Sequence, residues 1–75
     1  MKRKRIKLED CVIGQEYFVS CGVWSGHVTY VGIVSLFGKS HPLFTFGSFD
    51  NWKNQFNLHA PKSHFKIWKD EVLHG

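Results

Sequence analysis

The sequence has little that could staple or catalyse. Its only cysteines are Cys11 and Cys21, too few for a disulfide scaffold and without the C-x-x-C spacing of a zinc site. No H-x-x-x-H pair, no nucleophile elbow and no glycine-rich loop ahead of a helix occurs. The five histidines fall at spacings that fix no geometry. Accordingly, no catalytic residue, metal or cofactor is assigned. No apolar stretch approaches the ~18 residues of a membrane span. The basic opening "MKRKRIKLED" lacks the apolar run of a signal peptide, and no N-x-[ST] acceptor is present. These absences lead us to expect a cytoplasmic, soluble protein with reduced thiols and no membrane partner. Sustained helical periodicity is also missing.

What the chain has is aromatic mass. Three Trp, two Tyr and seven Phe make up 16% of its 75 residues. A domain of this size buries only about 60% of its unfolded surface, so it needs a dense core. Each buried ring removes roughly 150–250 Å² from water. The length indicates one domain.

Charge is unevenly placed. The formal net charge is +4, yet Lys2, Arg3, Lys4, Arg5 and Lys7 supply five of the ten cations. The rest of the chain sets Lys39, Lys53, Lys62, Lys66 and Lys69 against Glu9, Asp10, Glu16, Asp50, Asp70 and Glu71, a net of −1. Residues 1–7 therefore read as a basic arm on a near-neutral domain spanning 8–75. Such a block is either a solvated tail, a phosphate-contacting arm or a strand that carries its charges outward.

Strand signals dominate the remainder. A turn at Gly14 leads into a strand over 15–21, and a second runs over 27–37. Gly38, Lys39 and Ser40 read as a tight turn, followed by Pro42 at the entrance to a strand over 43–49. The polar stretch "DNWKNQFNLHAPKSH" is a loop with one short strand near 55–58. "HFKIW" alternates as a late strand, and "KDEVLHG" suits a 3₁₀ turn with a short strand near the C-terminus. Gly32 interrupts the β-branched run "VTYVGIV". A glycine there marks a bulge or a bend, and we read it as the corner of a strongly bent, all-β, five-stranded barrel.

The succession "LEDCVIGQEYFV", "VTYVGIV", "HPLFTF" and "FKIW" resembles the SH3-like small barrels, including Tudor and KOW modules. Tyr30-Val31-Gly32-Ile33-Val34 carries that family's recurring strand pattern. The resemblance covers about residues 8 to 73 and implies a non-catalytic binding module. Barrels of this size also resemble the accessory proteins with which bacteriophages inhibit host machinery. The chain lacks the acidic cluster and "ALYDY"-like opening of Src-type domains. "SCGVWSGH" lacks the basic residues of a KOW turn. A Tudor-type cage around a methylated cation would have to come from Trp24, Tyr30, Phe49 and Trp52.

Two functions follow. The first is recognition of a protein partner through exposed aromatics and sheet edges, with Trp24, Trp52, Trp68, Tyr30 and Phe49 as anchors. The alternative is binding of nucleic acid, single-stranded or RNA, through Lys2, Arg3, Lys4, Arg5, Lys7 and Lys66 with aromatic stacking. The sequence leaves the oligomeric state open.

Overall fold

Alternation over residues 16–21 turns Tyr17 and Val19 inward and leaves Phe18 outward, the period-2 signature of a strand with one buried face. The computed structural model describes residues 2–71. The protein is all-β, with strands β1 (Lys2–Ile6), β2 (Glu16–Cys21), β3 (Trp24–Leu36), β4 (Lys39–Thr45), β5 (Asn57–His59) and β6 (Phe65–Glu71). Short 3₁₀ turns span Leu8–Asp10, Phe49–Asn54 and Lys62–His64. The six strands form one sheet in the order β1-β6-β2-β3-β4-β5, and every pairing is antiparallel. Among the described residues, no helix is long and apolar enough to cross a membrane.

Several details differ from the sequence reading, among them the strand read over 43–49, which ends at Thr45 ahead of the 3₁₀ turn Phe49–Asn54, and the strand read over 27–37, which is Trp24–Leu36. Among the described residues the strand count is six rather than five, because the basic arm is itself β1, paired with β6 from Lys2 to Ile6. The tight turn sits one residue earlier, at Phe37-Gly38, so Lys39 and Ser40 already belong to β4. The 3₁₀ turn nearest the C-terminus among the described residues precedes β6 rather than following it. β6 runs on through Glu71, and residues 72–75 lie outside the described chain. Pro42 is tolerated within β4 because β5 pairs only with Leu43, Phe44 and Thr45, leaving a free edge beyond, where a missing N–H costs no ladder bond.

The long strand β3 serves two neighbours. Trp24 to Thr29 pair with β2, and Thr29 to Leu36 pair with β4. Between Tyr30 and Gly32 the register shifts, so Val31 is the extra residue of a bulge. Gly32 takes φ +143°, backbone that is essentially open only to glycine. A Cβ there would meet only Ile13 Cδ1, at 3.8 Å. The site is therefore roomy, and the demand for glycine is conformational rather than steric.

The bend curls the sheet around Leu8, Tyr17, Val19, Val28, Tyr30, Phe44, Phe65 and Ile67. Phe44 is fully buried, with Tyr30 and Phe65 on either side at ring-centroid distances of 5.4 and 5.3 Å. The Tyr17 hydroxyl accepts a hydrogen bond from the Val12 N–H at 2.8 Å, giving the buried ring its polar partner and anchoring the loop ahead of β2.

Gly32→Val and Gly32→Ala should each lower stability by about 1–3 kcal/mol, since both introduce the same backbone strain. Thermal or chemical melts of the two variants check this. An alanine variant as stable as wild type would remove the backbone argument.

Candidate functional site

Residues paired directly across neighbouring strands project to the same side of a sheet. Arg5 lies opposite Trp68, Trp68 opposite Phe18, and Phe18 opposite His27. Together they make a row across β1, β6, β2 and β3. Ile6, Ile67 and Val19 take the alternate positions of the same strands and point to the other side, where Ile67 and Val19 belong to the core and Ile6 packs against it. On the outward face Arg3 and Asp70 form the next pair in one direction. Lys66, Ser20 and Ser25 form the next row in the other.

The row is in contact along much of its length. The Phe18 ring lies 5.7 Å from Trp68 and 5.2 Å from His27, centroid to centroid. The Arg3 guanidinium sits 3.9 Å over the Phe18 ring, and that of Arg5 lies 5.4 Å from Trp68. Asp70 accepts hydrogen bonds from Arg3 Nε at 2.9 Å and from His27 Nε2–H at 3.0 Å. The His27 hydrogen bond, and then Arg3, hold the Asp70 carboxyl below its ordinary range. Asp70 thus stays ionised and fixes the ring of His27 and the guanidinium of Arg3, both of which contact Phe18.

Charge converges on the same strands. β1 and β6 carry Lys2, Arg3, Lys4, Arg5, Lys66 and Lys69 against Asp70 and Glu71. This excess of four equals the formal net charge of the whole chain, +4. Elsewhere Lys7, Lys39, Lys53 and Lys62 are matched by Glu9, Asp10, Glu16 and Asp50. Lys4 even stands directly opposite Lys69, a like-charge pairing that costs stability.

The candidates from sequence separate into groups. Arg3, Arg5, Lys66 and Trp68 share the outward face, and Lys2 opens β1. Lys4 belongs to the opposite parity of β1, and Lys7 follows the strand, exposed. Tyr30 is a core residue with 5% exposure and leaves the set of surface anchors. Its burial also rules out a cage with Trp24, Phe49 and Trp52. Trp24 lies over Gly26, where a Cβ would come within 2.8 Å of the indole, and meets Phe46 edge-on at 5.2 Å. Phe49 and Trp52 sit half-buried on the 3₁₀ turn Phe49–Asn54, with Lys53 Nζ 5.7 Å from the Trp52 ring. Phe18, His27 and Asp70 were not anticipated. The alternation of "EYFVSC" was the signal for Phe18, because an inward Tyr17 and Val19 leave it outside.

A second feature is the hairpin tip between β3 and β4. Phe37 and Gly38 have φ of +52° and +74°, as a two-residue primed turn demands. Phe37 is 97% exposed, so its ring gains nothing from the fold while its backbone is strained. Val12, Ile13 and Ile33 are further exposed apolar residues.

No metal-like cluster of three His, Cys, Asp or Glu occurs among the described residues. His41 and His59 approach each other through their Nδ1 atoms at 3.4 Å. Cys11 and Cys21 are free thiols. Burial, with Asp10 and Glu9 nearby, pushes Cys11 up to about 11, so its reactive thiolate is scarce at neutral pH. Compared with protein-family models, curated proteins and solved structures, the chain matches none.

Phe37→Asn should raise the stability of the fold by about 1 kcal/mol, because asparagine tolerates the left-handed conformation that costs phenylalanine about that much. A melt checks it. A lower midpoint would mean that the Phe37 ring contributes to folding after all.

Proposed function

We propose that this protein binds single-stranded nucleic acid across the outward face of β1, β6 and β2. One observation carries the reading: the whole net positive charge lies on β1 and β6, and the outward cations of these two strands, Arg3, Arg5 and Lys66, stand beside an aromatic row that starts at Trp68 on β6 and continues through Phe18 on β2 to His27 on β3. Phosphates are attracted by Arg3, Arg5 and Lys66, which flank Trp68, Phe18 and His27 on the same face. Unpaired bases stack on such rings for about 1–3 kcal/mol each, irrespective of sequence. A duplex hides those base faces, and major-groove reading needs a helix or a two-stranded ribbon inserted into the groove. The row of Arg5, Trp68, Phe18 and His27 instead spreads over four paired strands. Asp70 sits among the cations as an orienting group, at the expense of one unit of attraction.

The fold reading that accompanies this is a small SH3-like barrel, its seam lying between β1 and β5. The ion pair of Glu9 with Lys62, from the 3₁₀ turns that follow those two strands, supports it.

A specific observation favours a second reading, recognition of a protein partner. Phe37, at 97% exposure on a strained turn, and Phe56, at 88%, are placed as apolar contacts for another surface, as a host-directed inhibitor of the phage type would need. The charge distribution gives that reading no role for β1, so nucleic acid ranks first.

Fluorescence anisotropy with a labelled oligothymidylate, titrated over a range of salt, tests the proposal. Arg3→Ala and Arg5→Ala should each flatten the slope of log affinity against log salt by about 0.7, the single-strand value per phosphate. Trp68→Ala should cost about 1–3 kcal/mol while leaving the slope unchanged. A salt-independent affinity, or a Trp68→Ala variant that binds as wild type, would count against the proposal.

A further inference from the structure

Beside β1 a cavity of about 420 Å³ opens at the edge of the sheet, within the ordinary size range of ligand sites. Its walls are apolar: Ile6, Leu8, Phe65 and Ile67 contribute to them. Its other side chains are charged, with Arg5, Lys7 and Lys62 facing a single carboxylate, Glu9. That carboxylate is already engaged by Lys62. The opening is therefore net cationic over an apolar interior, which selects a ligand with an apolar body and an attached anion. The hairpin tip of a second copy does not meet that demand, because Lys39 follows Phe37 and Gly38 and would bring a further cation to a cationic rim.

The cavity is continuous with the outward face. Arg5 lines it and also stands opposite Trp68 at the start of the aromatic row. β1 is an edge strand, so a ligand lying on Arg3 and Arg5 can pass round that edge to Lys7. A nucleotide unit has the required chemistry, a flat base joined to a phosphate. We infer that the cavity receives one unpaired base of the bound strand, with the adjoining phosphates on Arg5 and Lys7. This inference rests on the nucleic-acid reading above and deepens it. Every side chain lining the cavity is either apolar or charged. Apolar contact and size hold the base there, and discrimination between bases is weak.

The test is an NMR titration of the methyl-labelled full chain with a short oligothymidylate, paired with affinities for the same oligonucleotide carrying one abasic position moved along its length. The expected result has two parts. The methyl resonances of Ile6, Leu8 and Ile67 shift, and one abasic position weakens binding about tenfold, within the loss expected for one base contact. Lys7→Ala should weaken the parent oligonucleotide but have a smaller effect on the one abasic at that position. If the oligonucleotide binds while those methyls stay fixed and every abasic position is equivalent, the cavity inference is overturned and the nucleic-acid reading stands. If no oligonucleotide binds, both fall. If thymidine monophosphate moves the same methyls as strongly as the oligonucleotide at equal concentration, the cavity is a small-anion site and the inference is likewise overturned.

Discussion

The ladder between β1 and β6 is the constraint on which the rest of the surface depends. It joins segments more than sixty residues apart in the chain, matching Lys2 to Glu71 and Ile6 to Ile67. Closing so long a loop costs entropy. The ladder is held by backbone hydrogen bonds and by Ile6 packing against the core. It also carries a penalty, since Lys4 and Lys69 stand opposite each other. What it achieves is placement: cations that a free tail would spread through solvent are fixed beside Trp68 and Phe18. The Arg3–Phe18 contact adds about 0.5–1 kcal/mol at an exposed site. The exposed Arg3–Asp70 pair adds little stability, and its effect is to orient.

The bulge at Val31 and Gly32 plays the complementary part within β3. By bending β3, it lets one strand pair with β2 over its first half and with β4 over its second. The sheet then curls around Phe44 instead of exposing an apolar face. The outward side of β1, β6 and β2 is left as a surface built on a packed core, with each side chain's direction set by its strand. Sites on strands are more precisely held than sites on loops.

Much of the fold was legible from local pattern. The alternation in "EYFVSC" and "FKIW", together with the glycine inside "VTYVGIV", gave the all-β class and the bend. β1 was harder to read, because five cations in seven residues look like a solvated tail. Only the partner strand, with Trp68 and Asp70 to receive those side chains, makes a strand of them, and that pairing spans nearly the whole chain. Tyr30 was misplaced for a different reason. An aromatic residue is of the type that anchors an interface, yet the parity of Tyr30 with Val28 puts both inward. Phe37 was hidden by its neighbour, since Gly38 marks a turn without saying which residue accompanies it. The cavity depends on β1, β4, β6 and two 3₁₀ turns at once, and no local pattern reports such a convergence.

On the proposed function, the charged and aromatic face of β1, β6 and β2 is where a nucleic-acid strand would lie. Backbone amide and tryptophan indole shifts followed by NMR during addition of a single-stranded oligonucleotide test it most directly. The account predicts that the largest changes fall on Arg5, Phe18, His27 and Trp68, including the Trp68 indole, while Phe37 and Phe56 stay still. Changes concentrated at Phe37 and Phe56, with the Trp68 indole unmoved, would contradict it.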